Sequence, residues 1–343
     1  MAALIVAMVI PLLAVSAVQA ATFTVANGDV TTLIADITAA NGNGQDNTIA
    51  LAAGGTYILT VANNGGARDA NGLPVISSGH TLTINGNGAT IEHGSCSPCT
   101  TPDFYRFFTI NGGATLALNG LTLSGGILIG AVGSLGQDGQ SVVGGAIVNS
   151  GALNLNTVTL GGVIQSGDGD TASASNGGSA SGGVIYNNGG AIVGVNVAFS
   201  SDIIAGAGSA GHDDPAAPSA GGNGGSALGG GIYMLGGTLT LTNATFSSIL
   251  HGGAGSKGGS GNPGHGAHGG KGGESSGGAI YSRGGQITLA ASTLSDTVLD
   301  AGRGGISGNG GGCSPAATVA TAPAARSPRP AATSSVVRSA RPI

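Results

Sequence analysis

The sequence contains few charged residues, few aromatic residues and no tryptophan. Charged residues make up 7% of the 343 positions and aromatic residues 3%. Because ordinary domains contain about 25% charged residues, solubility has to come from serine, threonine, asparagine and exposed backbone. The net charge of −5 argues against a nucleic-acid-binding protein, which neutralises phosphates with lysine and arginine. We predict no nucleic-acid partner and no cofactor.

Glycine, in contrast, is abundant, with 70 residues against an ordinary share of about 7%. Glycine without a steady proline repeat excludes collagen. Hydrophobic residues still make up 41% of the chain, and they lie in short runs of leucine, isoleucine and valine mixed with threonine. The chain can therefore bury a core made of short elements.

The amino terminus has the features of a secretory signal. Residues 1–20 are almost wholly apolar, and Val18-Gln19-Ala20 has the small-residue pattern of a cleavage site. A transmembrane anchor is the alternative, although the segment is about at the lower length limit for a span and Pro11 interrupts it. We predict a secreted or cell-surface protein with no transmembrane span after the signal is removed.

The three cysteines permit one local bridge. Cys96 and Cys99 have the spacing for a small disulfide in an oxidising compartment, and free thiols are the alternative. A redox-active pair would need a βαβ context that the neighbouring sequence does not have. Zinc would need a second pair, and Cys313 stands alone.

Internal repeats are the strongest signal in the sequence. Residues 144–149, 182–187, 229–233 and 277–281 share a Gly-Gly-x-Ile pattern, and each is followed by an alternating run such as 238–247. Alternation of period two predicts strands with one buried face, here with Leu239, Leu241 and Phe246 inside and Thr240 and Thr245 outside. Such units bury their apolar faces only by stacking. We predict an all-β fold, a right-handed parallel β-helix; a sandwich or propeller would need more hairpin turns.

A short helix is predicted before the repeats. Asp29 can cap a helix whose apolar residues Val30, Leu33, Ile34 and Ile37 follow the spacing of one helix face. We expect residues of about 21–50 to cap the open end of the β-helix. Strands are expected at 23–25, 48–51, 57–61, 81–84 and 89–92.

Glycine-rich inserts separate the later repeats, at residues 126–143, 162–181, 201–228, 250–276 and 301–312. All leave from the same point of the repeat, so they should emerge on one edge. Several carry glycine at every third position, as at Gly252, Gly255, Gly258 and Gly261. One hypothesis is that they stack as extended strands with three residues per turn, because glycine permits close backbone approach. Flexible loops are the alternative.

The composition changes again after Cys313. In residues 313–343 glycine gives way to alanine, proline, arginine and serine without strand periodicity. This segment is predicted to be a disordered or frame-disrupted tail, so that the β-helix spans residues 21–312.

The order of these segments resembles a known family. Residues 71–76 (Asn-Gly-Leu-Pro-Val-Ile), residues 82–91 and the Gly-Gly-x-Ile-Tyr units resemble secreted bacterial right-handed β-helix proteins. Those proteins are pectin-lyase-like in fold and related to polymorphic outer-membrane and adhesin-type repeat proteins. The resemblance covers about residues 22–312 and implies an architecture, not an activity. Many relatives carry a Cys-Ser-Leu-Arg-Glu-Ala run near the start, where this chain has Gly-Asp-Val-Thr-Thr-Leu at residues 28–33.

The acidic residues do not form an evident catalytic pair. Glycoside hydrolysis needs two carboxylates held about 5–9 Å apart, which favours rigid strand positions. The acids instead fall in inserts or stand alone just beyond the third strand of a repeat: Asp168, Asp170, Asp213, Asp214, Asp202 and Asp296. We predict no catalytic residues and no metal site.

The sequence contains four further features that could suggest a function. His251, His265, His268 and Lys271 are expected to be exposed loop residues, and loose binding of a transition metal is the alternative. Residues 42–46 partly mimic a calcium-binding repeat but are better interpreted as the turn after the helix. Residues 264–266 resemble a short piece of polygalacturonases. Arg106 is expected to form a surface ion pair of small value.

Tyr186, Tyr233 and Tyr281 recur at one position of the repeat, which favours ring stacking between repeats over sugar binding. Threonines also recur in register, at 122, 159, 245 and 293, and an array that orders water is a further option. The leading interpretation is an exported structural or interaction protein of adhesin type that contacts surface glycans or cell-surface proteins. The alternative is a degenerate carbohydrate-active enzyme or a glycan-binding β-helix.

Overall fold

The computed structural model describes residues 20–66, 69–77, 79–94, 104–170, 174–214, 217–261 and 265–309, and of Asp296 only the backbone. The predicted signal, Cys96, Cys99 and the predicted tail therefore lie outside the described residues. Helix α1 spans Val30–Gly42. The strands are β1 Thr22–Val25, β2 Asn47–Leu51, β3 Thr56–Leu59, β4 Thr81–His93, β5 Phe108–Ile110, β6 Thr115–Ile129, β7 Val142–Val143, β8 Ile147–Asn149, β9 Ala152–Gln165, β10 Ala180–Ser181, β11 Ile185–Ile204, β12 Ala227–Leu228, β13 Ile232–His251, β14 Ser275–Ser276, β15 Ile280–Ser282, β16 Gln286–Ala290 and β17 Thr293–Asp300.

Strands from successive repeats pair in parallel, each with its equivalent in the next repeat. One column of equivalent inward positions contains Leu82, Leu116, Leu153, Ile192, Leu239 and Ile287. The prediction of a mostly β fold is confirmed, and its parallel strands form a curled sheet. We call this sheet the body.

The interior of the body is one continuous apolar cluster that extends from Val25 to Ala279. In β13, Leu239, Leu241 and Phe246 are buried while Thr240 and Thr245 are exposed, as the alternation predicts. The rings of Phe199 and Phe246 stack inside at 4.6 Å between centroids. Since a fully buried side chain of this size stabilises by about 1.5–3 kcal/mol, the inward columns hold the body together.

Helix α1 begins at the predicted cap. The Asp29 side chain accepts a hydrogen bond from the Thr32 backbone N–H at 2.9 Å, and this hydrogen bond lowers the pKa of Asp29. Leu33 and Ile37 are fully buried and pack against the apolar core, so the predicted helix is confirmed. No helix of the described ranges is long and apolar enough to cross a membrane.

Residues 42–46 form the turn after the helix. The Asn43 side-chain oxygen accepts from the Gln45 N–H at 3.0 Å, and Asp46 accepts from the Thr81 N–H at 2.7 Å. These oxygens are occupied by backbone donors, which supports the interpretation as a turn and not as a calcium loop.

Two strand boundaries differ from the predictions. Residues 81–84 and 89–92 belong to one strand, β4, with an irregularity between Asn85 and Ala89, where Asn87 has a φ of 52°. β3 ends at Leu59, and Val61 beyond it is exposed.

The predicted starts of the inserts are also wrong. β6, β9, β11 and β13 continue to Ile129, Gln165, Ile204 and His251, because parallel pairing with their neighbours holds the backbone extended past its glycine and serine pairs. These extensions enclose a second, smaller core that contains Leu128, Ile164, Ile203 and Leu250. The core is closed by a four-stranded sheet of β7, β10, β12 and β14, from which Val142, Ala180 and Ala227 enter the same core.

In their described residues the glycine-rich inserts hydrogen-bond to one another, in line with the stacking hypothesis. Each insert runs out from the body and returns, so that outgoing segments form one layer and returning segments another. Within the outgoing layer Gly208 N–H donates to the Ala254 carbonyl at 2.9 Å. Within the returning layer Gly224 N–H donates to the Lys271 carbonyl at 2.8 Å. Between the layers Gly253 N–H donates to the Gly225 carbonyl at 2.9 Å.

Glycine is required in the inserts because successive inserts touch through their backbones. A Cβ atom on Gly225 would overlap the carbonyl oxygen of Gly178, and one on Gly273 would overlap the carbonyl oxygen of Gly225. Real Cβ atoms essentially never approach a neighbour within 3.0 Å, so no side chain fits at either position.

Side chains on the outer face of the returning layer complete the hydrogen bonding. The backbone carbonyl of Asn223 accepts a hydrogen bond from the Gly177 N–H at 2.8 Å. The backbone N–H of Asn223 donates to the side-chain oxygen of Asn176 at 3.0 Å. Lys271 repeats this arrangement with the Asn223 side chain at 2.9 Å. Each insert is therefore joined to the next by a pair of bonds, which satisfies backbone groups that would otherwise need water.

Arg106 is buried, not on the surface, and the predicted exposed ion pair is wrong. Its side chain is 1% exposed, and its guanidinium donates to the carbonyls of Gly144 and Val143, each at 3.2 Å. Burial lowers the pKa of Arg106 to about 10, opposed by Asp69 at 3.7 Å. The sequence did not indicate this role because the accepting carbonyls lie 38 and 37 residues away.

Candidate functional site

A groove crosses the outer surface of β6, β9, β11 and β13, beside the second core. It has a volume of about 470 Å³. Its described lining includes the hydroxyl groups of Ser124, Thr159, Ser200 and Ser247. Thr159, Ser200 and Ser247 make no side-chain hydrogen bond to any other described residue. The groove therefore presents hydroxyl groups whose donors and acceptors are open to solvent.

The register of the strands explains the shape of the groove. Gly161 in β9 is equivalent to Ser200 in β11 and Ser247 in β13. A Cβ atom on Gly161 would meet its nearest neighbours at 3.6 Å, an ordinary contact, so the fold does not require glycine here. Gly162 differs, because a Cβ atom there would overlap the carbonyl oxygen of Gly183. Gly162 is thus needed for packing, whereas Gly161 leaves space in the groove that a side chain would fill.

Asp202 is the one charged residue among the described residues that line the groove. At its register position the neighbouring strands carry Val163 and Ile249, and the next ones Ile127 and Val298. Its Oδ1 atom is buried and has no hydrogen-bond partner. An unsatisfied buried polar atom costs about 1–3 kcal/mol, so an aspartate in an aliphatic column requires an explanation beyond packing.

The sequence prediction placed Asp202 alone just beyond a strand, and the structure places it within β11. Aligning 162–164, 201–203 and 248–250 as equivalent strand positions, instead of as insert starts, would have shown one acid among aliphatic residues. The predicted threonine array accounts for part of the hydroxyl groups in the groove, because Thr122 and Thr159 pair in register and line it. Thr245 and Thr293 pair in the same column, and Ala198 separates the two halves.

The other acids of the inserts bind backbone N–H groups. Asp168 accepts from Ala207 N–H and Asp170 from Gly136 N–H, both at 2.7 Å. Asp214 accepts from Ala217 N–H at 2.9 Å, and Asp213 accepts from Ser260 N–H. These carboxylates fix the inserts and are not brought to the groove. The side chain of Asp296 lies outside the described part of the chain.

The histidines are also not gathered into one site. His251 lies 3.5 Å from Asp300, and the Lys271 backbone belongs to the returning layer. Among the described residues, no group of three or more histidine, cysteine or acidic side chains is placed to hold a metal ion. Cys96, Cys99 and Gly264 lie outside those ranges.

The three tyrosines form a stacked column where the body meets the inserts. Ring centroids of Tyr186 and Tyr233 are 5.1 Å apart, and those of Tyr233 and Tyr281 are 5.3 Å apart. Burial raises the pKa of Tyr186 and of Tyr281. The glycines that precede these strands, for example Gly182 and Gly277, have φ values of 68° and 65°, which side chains rarely adopt. The turn thus lets each ring lie over the preceding one.

Comparisons of the chain with protein-family models, with curated proteins and with solved structures each give no match.

Proposed function

We propose that this chain is an exported right-handed parallel β-helix that acts as a structural or interaction protein of adhesin type. The observation that carries the proposal is the shared register of body and inserts. In the body, Asn149 and Asn187 are joined by a hydrogen bond although they are 38 residues apart in sequence. In the inserts, Asp138 and Asn176 are joined in the same way over the same separation. Since parallel crossover connections are right-handed in about 98% of cases, stacked repeats of this kind favour a right-handed coil.

Such an architecture repeats the same chemical groups at a fixed spacing. Neighbouring strands lie about 4.7–4.9 Å apart, and the inserts widen the coil on one edge with a rigid double layer. A surface of this kind supports many weak, equivalent contacts with a repetitive partner, which together exceed the strength of any single one. Surface glycans and cell-surface proteins are the partners that the proposal names.

The proposal further takes residues 1–20 as a secretory signal, so that the mature protein is extracellular or at the cell surface. Export also suits the composition, because a surface of serine, threonine, asparagine and glycine stays soluble without charge.

The test is a binding screen of the full mature chain against intact bacterial cells and a glycan array, run beside an assay of polysaccharide degradation. We expect retention on cells or glycans without turnover. Binding to neither would contradict the proposal. Turnover of an acidic polysaccharide would replace it with the second candidate, a degenerate carbohydrate-active enzyme or glycan-binding module, which the hydroxyl-lined groove favours.

A further inference from the structure

We propose that the groove across β6, β9, β11 and β13 binds a neutral polysaccharide chain, with Asp202 accepting hydrogen bonds from sugar hydroxyl groups. This inference rests on the proposed function and narrows it to one site and one class of ligand. The tyrosine repeat is interpreted as ring stacking and not as a sugar site, and the described lining of the groove contains no aromatic residue. The groove offers a different kind of recognition, built from hydroxyl groups, one carboxylate and aliphatic walls.

The dimensions of the groove fit an extended chain. Four neighbouring strands cover about 14 Å, and the volume of about 470 Å³ lies within the range of about 300–1,000 Å³ typical of ligand pockets. The groove runs from strand to strand, so a chain bound in it would lie parallel to the stacking direction and meet an equivalent set of groups at each strand.

The chemistry of the lining matches sugar hydroxyl groups. Serine and threonine each offer one donor and two acceptor positions, and an ionised carboxylate offers acceptors only. Ser124, Ser200 and Ser247 can therefore pair with hydroxyl groups in either direction, while Asp202 requires donors. The side chains of Val163 and Ile249, both partly exposed, provide apolar contact for the C–H faces of sugar rings.

Charge decides between neutral and acidic sugars. The described lining contains Asp202 and no lysine or arginine, so the carboxylate groups of an acidic polysaccharide would find repulsion and no cation. The net charge of −5 acts in the same direction. A neutral chain meets neither cost.

The position of Asp202 indicates that binding, and not packing, explains this side chain. The aliphatic residues at the same register show that valine or isoleucine fits the site. Asp202 leaves one oxygen without a partner, and a sugar hydroxyl group bound in the groove would supply the missing donor. A local loss of stability that serves binding is a common feature of functional sites.

An added peptide strand is a poorer occupant. The strands beneath the groove are paired on both sides, with β11 lying between β9 and β13, so no free strand edge is available for main-chain pairing. Polypeptide binding is retained as an outcome that would contradict the inference.

The test uses Asp202→Val, which installs the residue found in the preceding strand. We expect this variant to be more stable than the wild type, with a melting temperature higher by roughly 2 °C or more, because the unpaired oxygen is removed. We expect it to bind neutral oligosaccharides at least about tenfold more weakly, which corresponds to about 1.4 kcal/mol. Asp202→Asn, which keeps one acceptor oxygen, should fall between the two.

A second variant, Gly161→Val, fills the groove from the neighbouring strand at a position where a side chain is tolerated. It should weaken binding with little change in melting temperature. Thr240→Val, an exposed change in the second strand segment of the repeat, is the matched control and should leave binding unchanged. The probes are short glucose, mannose and N-acetylglucosamine oligomers, with oligogalacturonate as the acidic counterpart, and binding is measured by calorimetry on the full mature chain.

Weaker binding of a neutral oligomer by both groove variants, together with a more stable Asp202→Val, supports the inference. The inference is overturned if no neutral oligomer binds, if oligogalacturonate or a peptide binds better, or if both variants bind like the wild type. In each of these cases retention of the wild type on cells would leave the broader proposal intact, since that proposal fails when cell and glycan binding are both absent or when an acidic polysaccharide is degraded.

Discussion

In the body, equivalent aliphatic side chains fill the interior, whereas in the inserts many interior positions are glycine. Leu239 and Phe246 are buried among like residues of neighbouring strands, while Gly225 faces the Gly178 carbonyl with no room for a Cβ atom. Both regions nevertheless have the same number of residues from one repeat to the next. The hydrogen-bonded pairs Ser201 and Ser248 in the body and Asn176 and Asn223 in the inserts are each 47 residues apart.

This difference teaches that one stacking interval can be stabilised by two kinds of chemistry. The body gains from apolar burial, which tolerates some change of shape. The inserts gain from backbone hydrogen bonds across a contact that tolerates no added atom. The second core, with Leu128, Ile164 and Ile203, joins the two regions.

The largest effect is expected from opening a cavity in the body. Phe246→Ala should lower the free energy of unfolding by about 3–5 kcal/mol, because the ring stacks on Phe199 and is fully buried. Chemical denaturation measures this loss. Thr245→Ala, on the exposed side of the same strand, should change stability by no more than about 0.5 kcal/mol; similar losses in the two variants would mean that the body is not held by its interior.

A smaller and local effect is expected in the inserts. Gly225→Ala should cost about 1–3 kcal/mol, because the added methyl group displaces the Gly178 carbonyl. Hydrogen exchange should show faster exchange at Gly178 and Gly206, whose N–H groups donate between the layers, with unchanged protection in β13. Gly161→Ala is the matched control and should be nearly neutral. Rapid exchange throughout the wild-type inserts would refute their ordered stacking.

A stabilising change is expected where the body adopts a backbone conformation more usual for glycine. Thr157 has a φ of 55°, a conformation that costs a residue with a Cβ atom about 1–2 kcal/mol. The equivalent residues Asn196 and Asn243 share this φ and are joined by a side-chain hydrogen bond. Thr157→Asn should therefore raise stability by about 1 kcal/mol, whereas Asn196→Ala should lower it; thermal unfolding of both variants checks the signs.

The smallest expected effect concerns alkaline pH at the boundary of the two regions. Burial raises the pKa of Tyr186 and of Tyr281, so the folded state holds these protons more tightly than the unfolded state does. Their contribution to stability is complete below the ordinary value of about 10 and is lost as pH rises through the folded value. Ultraviolet titration should show late tyrosine ionisation that Tyr186→Phe reduces. Titration of all tyrosines at the ordinary value would contradict this.

Local periodicity was sufficient to predict much of the fold. The spacing of Leu33 and Ile37 with a cap at Asp29, and the alternation of Leu239 and Leu241, each depend on neighbours in sequence. Glycine at every third position allowed stacked inserts as one hypothesis, and flexible loops were the alternative that the sequence left open.

What the sequence did not indicate depends on distant partners. Gly161-Gly162 and Ser200-Ser201 have the composition of turns, yet pairing with adjacent strands keeps them extended. Arg106 finds its carbonyl partners 37 and 38 residues away. The groove follows from the first of these facts, since it exists only because those residues remain in the strands.

One bond of each pair on the outer face of the returning layer runs from backbone to side chain, and these bonds all point the same way along the chain. The N–H of Asn176, Asn223 and Lys271 each donates to a side chain that lies earlier in the chain. Each of these N–H groups thus depends on the side chain of the segment that precedes it. Lys271 carries no side-chain acceptor, so this series of bonds closes with it.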